Sequence, residues 1–301
     1  MHGGISCILE RRFQQLFFGH ELSIAIPASL VSDIPHLREK TSRIGTIGRA
    51  AAIFGVDEVV IFPDSYAKNQ SREIDLIATI LSYLETPQYL RKRLFKIRPE
   101  LKYAGVLPPL RTPHHPLPKR AKDLVTGEYR EGVTVSHVKE GTIVDVGVER
   151  HALIRSKKLP KNVRVTVRIR KTKRRLEAEI VSRNEISEYW GYQITCYSRT
   201  LGKLLQRQTY DLILATSRNG KPFQGILEEL TSRWGTSHKI LIVFGAPAQG
   251  LYEIVKREGL KLDEITDFVA NTIPHQKVET VRTEEALLVT LGILNLMATK
   301  G

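Results

Sequence analysis

The run Lys239-Ile240-Leu241-Ile242-Val243-Phe244 constrains this chain more than any other segment. Its apolar residues are consecutive, and Gly245-Ala246-Pro247 ends them abruptly. A segment with no polar face has to be buried on both sides, as a strand of a helix-covered parallel sheet is. Glu58-Val59-Val60-Ile61-Phe62 repeats the pattern, and Leu22-Ser23-Ile24-Ala25-Ile26-Pro27 is a shorter alternating run. Between them Ile44, Ile47, Ala51 and Ala52 recur at helical spacing, with Gly55 placed as a C-cap. Strand, helix, strand predicts a parallel pair with a right-handed crossover. Leu76, Ile77, Ile80, Leu81 and Leu84 mark another helix. Thr86-Pro87 reads as the N-cap and first position of a basic helix through Phe95.

Residues 104–118 are too rich in Pro and Gly for regular structure and read as a linker or return crossing. His114 and His115 are adjacent, so in an extended segment they point opposite ways and make a poor metal pair. No metal site is expected. Residues 119–185 then alternate in short segments. Gly132–Val135 and Gly141–Gly147 read as strands. In 163–170, Val163, Val165, Val167 and Ile169 face one way, and Arg164, Thr166, Arg168 and Arg170 the other. Leu176 to Val181 is a returning strand. About five short strands predict a small all-β barrel of the OB type, an architecture used for nucleic-acid binding, or else an all-β insert without special role.

Residues 186–301 return to α/β. Tyr210 to Thr216 reads as a strand ending in a loop, Ser217-Arg218-Asn219-Gly220. Glu264 to Val269 is a weaker strand ending at Asn271-Thr272-Ile273-Pro274. The last helix opens at Thr283 as N-cap, with Glu284 and Glu285 favourable to its dipole, and buries Leu287, Leu288, Leu291, Leu294 and Met297. The expected domains are therefore 1–118 and 186–301, two halves of one α/β domain, with 119–185 inserted.

The net charge of +14 favours a polyanionic partner. Residues 155–175 hold eleven Lys or Arg and no acid, and 91–123 hold ten against Glu100 and Asp123. The candidate RNA contacts are Arg164, Arg168, Arg170, Lys171, Lys173 and Arg174, and few aromatics interleave them, so phosphate contact is better supported than base stacking. Cys7 and Cys196 form no C-x-x-C pair, which argues against a disulfide framework or zinc module. No apolar run approaches the roughly 20 residues needed to span a bilayer, and Met1 to Arg12 lacks a signal-peptide pattern. A soluble cytoplasmic protein without membrane partners is expected.

Familiar phosphate and nucleophile motifs are absent: no P-loop, no G-x-G-x-x-G and no G-x-S-x-G. Instead, three loops follow three strand ends. If those strands are neighbours, Arg218, Gly245 and Asn271-Thr272 share the carboxyl edge of one sheet, where ligands of parallel sheets bind.

Asn271-Thr272-Ile273-Pro274, then Gln276 and Val281-Arg282-Thr283-Glu284-Glu285-Ala286-Leu287-Leu288, resembles the last motif of the SPOUT RNA methyltransferases. Ile242–Pro247 with Gly250-Leu251 resembles their middle motif, and Ala215–Gly220 the segment that opens their knot. Ala25–Ser29, Ile47–Ala50, Phe54–Val59 and Leu101–Leu110 are similar to the archaeal and eukaryotic branch with an inserted OB-like domain. The resemblance covers roughly residues 20–300. It implies a half-Rossmann parallel sheet with a C-terminal trefoil knot, S-adenosylmethionine as cofactor, and a homodimer. Carried over by position, the cofactor contacts are Arg218, Gly245, Asn271, Thr272, Ile273 and Val281. Relatives carry Pro-Gly-Gln-Gly where this chain has Pro274-His275-Gln276-Lys277, which implies a reshaped or strained loop if those positions need positive φ.

The expected function is methylation of structured RNA, ribosomal RNA first, with a base nitrogen such as uridine N3 ranked above a ribose 2′-hydroxyl. No residue stands out as general base. Arg43, Arg49 and Arg282 are candidates for orienting RNA or lowering the pKa of the acceptor, and each reads equally as a phosphate contact or surface ion pair. The rivals are a non-catalytic RNA-binding or assembly protein that keeps the fold, and a DNA-binding OB protein.

Overall fold

A computed structural model describes residues 20–65, 67–117, 120–171 and 175–298. They form two compact units, one running to Leu81 and resuming at Tyr192, the other spanning Ser82–Gly191.

The first unit is built on a parallel sheet. Its strands are β1 (Glu21–Pro27), β2 (Glu58–Phe62), β8 (Gln193–Cys196), β9 (Leu212–Pro222), β10 (Lys239–Val243) and β11 (Phe268–Asn271). The order is β11-β9-β10-β1-β2-β8, and every neighbouring pair is parallel. The apolar runs 240–244 and 59–62 are fully buried, as a two-faced strand requires. Helix α1 (Leu37–Ile53) joins β1 to β2, and Gly55 follows it at φ +67°. Helices α2 (Ser71–Glu85) and α3 (Gln88–Leu94) come next in the chain; Glu85 and α3 lie in the second unit. In the first unit, α4 (Leu201–Leu205), α5 (Leu227–Thr236), α6 (Leu251–Lys256), α7 (Leu262–Ile265) and α8 (Thr283–Ala298) follow. One core cluster packs Ala25, Val60, Leu201, Ala215, Leu241, Val243, Ile254 and Val269 together. No helix among the described residues is long and apolar enough to cross a membrane.

The second unit contains a closed barrel, order β3-β4-β5-β7-β6. Its strands are β3 (Tyr129–Val138), β4 (Gly141–Asp145), β5 (Ala152–Arg155), β6 (Arg164–Lys171) and β7 (Leu176–Ile180). Val144, Val146, Ile154, Val167, Ile169 and Ala178 fill it. Closure removes the unpaired strand edges that a small open sheet would expose.

Several local expectations are corrected. Thr86 does not cap α3: Pro87 holds the cap position, and the Thr86 hydroxyl bonds back to the Ser82 carbonyl at 2.8 Å. Residues 217–220 are extended within β9 rather than a loop. Glu264 and Ile265 are helical, because Leu262 anchors a short turn before β11 begins. Val163 is exposed and precedes β6, so the apolar face of that strand begins at the half-buried Val165. Leu288 is 36% exposed rather than buried.

Candidate functional site

Because β10 neighbours β9 and β9 neighbours β11, all parallel, their carboxyl ends share one edge. The register there is irregular. Val269 pairs with Ala215, but the next residue, Ala270, pairs with Lys221, so 216–220 bow out of the ladder. Gly220 permits the return, since a Cβ there would sit 2.6 Å from the Val269 carbonyl oxygen.

Hydrogen bonds draw the expected cofactor residues together at this edge. Asn271 Nδ2 donates to the Arg218 carbonyl at 2.9 Å, and Asn271 Oδ1 accepts from the Ile273 N–H at 3.0 Å. The Thr272 and Thr290 hydroxyls pair at 2.9 Å. Arg218 Nη1 donates to the Glu279 carbonyl at 2.8 Å, and Gln276 Nε2 reaches the Val278 and Glu279 carbonyls. Thr283 donates to the Gly245 carbonyl at 2.9 Å, tying the loop after β10 to the start of α8. Thr283 is therefore a tether rather than the N-cap. Arg282 precedes the helix, and its backbone N–H is taken by the Glu285 carboxylate at 2.9 Å, half of a capping box. Val281 is half-buried beside this start.

Gly245 is not in the left-handed region, and a Cβ placed on it would find no atom nearer than the Gln249 carbonyl oxygen at 3.4 Å. The fold does not itself require glycine here. His275 and Lys277 are exposed, and neither has positive φ: among the described residues the non-glycine cases are Arg111, Ser156 and Asn162. The loop is thus shaped without the strain that two lost glycines would have caused.

The arginines considered for chemistry divide. Arg43 is largely buried and ion-pairs with Asp33 at 3.2 Å and Glu284 at 3.0 Å, joining α1 to α8. Burial pushes the Glu284 carboxyl above its usual value, and its Oε2 is buried without a partner. Arg49 is half-buried on α1, and Arg282 is exposed.

The arginines of β6 are occupied internally. Arg164 spans Glu85 and Glu131, both at 2.5 Å. Arg168 and Arg170 both pair with Glu179, at 3.0 and 2.6 Å. Lys171 ends β6; Lys173 and Arg174 lie outside the described residues.

Arg164 belongs to a buried polar cluster that sequence patterning missed. His114 Nε2 and His115 Nε2 both donate to the Glu85 carbonyl, at 3.0 and 2.6 Å, so the two rings converge instead of pointing apart. A turn closed by the His115 N–H on the Thr112 carbonyl makes this possible. Arg183 adds a 3.2 Å bond to the Glu85 carboxylate, and Trp190 Nε1 donates to Glu131 at 2.5 Å. Burial alone would raise the Glu85 carboxyl, but His114 and Arg164 outweigh it and hold it far below the carboxylate range. Burial, with His114 beside it, pushes His115 down to about 4. Gly191, at φ +83°, is obligatory because a Cβ would lie 2.5 Å from Glu85 Oε1. No group of three potential metal ligands occurs among the described residues.

Comparison with known proteins bears on this architecture as a whole. Residues 21–294 match the family described as "Putative RNA methyltransferase". A mouse protein named 28S rRNA (uridine-N(3))-methyltransferase is 32% identical, over 91% of this chain and 76% of its own length. Its namesake in Drosophila melanogaster is 35% identical, over 91% of this chain and 61% of its own length. An uncharacterised protein of Halobacterium salinarum is 34% identical, over 91% of this chain and 98% of its own.

Proposed function

From the premise that the chain belongs to this RNA methyltransferase family, we propose that it methylates a base nitrogen of structured ribosomal RNA, uridine N3 before any ribose 2′-hydroxyl. The observation that carries the reading is the likeness to uridine-N3 methyltransferases over 91% of the chain, a span that takes in both units.

The proposed methyl donor is S-adenosylmethionine, which supplies an electrophilic methyl group on a sulfonium. The residues at the carboxyl edge fit it. Gly245 is a glycine the fold does not need, which leaves backbone open to close approach. Arg218 engages one nitrogen with Glu279 and retains further N–H groups suited to a carboxylate. Asn271, Thr272, Ile273 and Val281 complete the proposed set, on the half-Rossmann, knotted and OB-like architecture that the sequence resemblance implies.

A homodimer is part of the proposal. Leu288, Val289 and Leu296 on α8, with Ile53 at the end of α1, expose apolar side chains, and α1 packs beside α8. The proposed location is cytoplasmic.

Titration calorimetry tests the enzyme reading against a non-catalytic assembly protein. S-adenosylmethionine is expected to bind with saturable heat. No heat at millimolar ligand would decide for the rival.

A further inference from the structure

Four lysines that no carboxylate engages among the described residues gather at one rim of the barrel. Residues 156–163 connect β5 to β6 and are fastened along the β3–β4 hairpin. The buried Thr142 hydroxyl donates to the Lys157 carbonyl at 2.6 Å and accepts from the Leu159 N–H at 3.0 Å. The buried Thr134 hydroxyl donates to the Pro160 carbonyl at 2.6 Å and accepts from the Val163 N–H at 2.9 Å. His137 bonds to the Leu159 carbonyl. Ser156 and Asn162 bracket the loop at φ +58° and +59°, backbone shapes that persist only where the surroundings enforce them.

This fastened loop presents Lys157, Lys158 and Lys161, all exposed, and the hairpin turn adds the exposed Lys139. The turn's acid, Glu140, is taken by Arg175 at 2.5 Å. No carboxylate engages the four lysines among the described residues. On β6, by contrast, Glu85 and Glu131 hold Arg164, and Glu179 engages both Arg168 and Arg170.

We propose that the rim formed by Lys139, Lys157, Lys158 and Lys161 is the barrel's docking surface for the phosphate backbone of a structured RNA; this rests on the RNA methyltransferase reading. Lysines are compact charges on flexible stems, suited to phosphate contact without base readout. No aromatic side chain lies within 156–163 to stack on bases. The pre-ordered loop lowers the entropic cost of forming such contacts.

The test uses the full chain, fragments of ribosomal RNA, and filter binding across a salt series. In the triple variant Lys157→Gln, Lys158→Gln, Lys161→Gln, the slope of log affinity against log salt becomes shallower by about two or more. Affinity at low salt falls at least about tenfold, uniformly across fragments, as phosphate contacts dictate. The matching Lys→Arg variant keeps binding, and Arg168→Gln, Arg170→Gln changes the slope by less than about one. A triple variant with the wild-type slope overturns the assignment while leaving the methyltransferase reading intact. Wild-type protein that binds anionic phospholipid vesicles but no ribosomal RNA fragment overturns both.

Discussion

The Thr283 hydroxyl donates to the Gly245 carbonyl at 2.9 Å and so locks the loop after β10 to the first turn of α8. The two residues are 38 apart in sequence, and both lie in the proposed cofactor edge. Thr283→Val removes this donor while keeping the volume. A buried hydrogen bond of this kind contributes about 1 kcal/mol, so urea unfolding is expected to show a loss of that order. Affinity for S-adenosylmethionine should fall more than stability alone explains, measured by calorimetry well below the unfolding transition.

Arg218→Ala removes the bond to the Glu279 carbonyl and the proposed carboxylate partner together. The residue is exposed, so the fold should persist. Cofactor affinity is expected to weaken by more than about tenfold, or about 1.4 kcal/mol. Unchanged affinity would remove Arg218 from the site.

Gly245→Ala separates a structural glycine from a ligand-facing one. A Cβ meets its first neighbour at 3.4 Å and the backbone needs no special φ. The melting temperature should therefore stay within about 2 °C, while affinity for S-adenosylmethionine falls. A large drop in melting temperature with unchanged affinity would assign the glycine to the fold.

Acid should destabilise the barrel unit in two stages. His115 is neutral in the folded state, with its pKa down from 6.5 to about 4. Unfolded chain binds more protons between those values, so stability present above pH 6.5 is lost as pH falls toward 4, by up to about 3 kcal/mol. The Glu85 carboxyl is also depressed, so its contribution is present above its ordinary value of 4.5 and erodes below it. Urea midpoints of wild type and His115→Gln between pH 7 and 4.5 check the first stage, which the variant should lack.

The parts of this account legible in sequence are those decided by local pattern. The two-faced apolar runs ending at Phe62 and Phe244 identify central strands, and the Arg/Val alternation identifies β6. Gln193–Cys196 carries no such pattern and becomes β8 through its pairing with β2, a tertiary event. Thr283 looks like an N-cap, yet a carbonyl from a distant loop captures its hydroxyl. The β6 arginines read as a basic face because the acids opposite them sit on other elements: Glu179 on β7, Glu131 on β3 and Glu85 at the end of α2. Arg164 and Arg183 reach Glu85 across 79 and 98 residues. A glutamate ending an amphipathic helix gives no local sign that it will be a buried anion. The carboxyl-edge residues come from the family resemblance and from a conditional adjacency of three strands that the sheet order β11-β9-β10 supplies, whereas the bow at 216–220 depends on a register shift that no window contains.

The central claim is methyl transfer to a base nitrogen of ribosomal RNA. The most direct measurement incubates the purified chain with methyl-labelled S-adenosylmethionine and unmodified ribosomal RNA, then resolves the nucleosides by mass spectrometry. Labelled N3-methyluridine is expected, and at subsaturating S-adenosylmethionine Arg218→Ala lowers its yield. Label confined to a ribose 2′-oxygen, or no label in RNA from a protein that binds both cofactor and RNA, would contradict it.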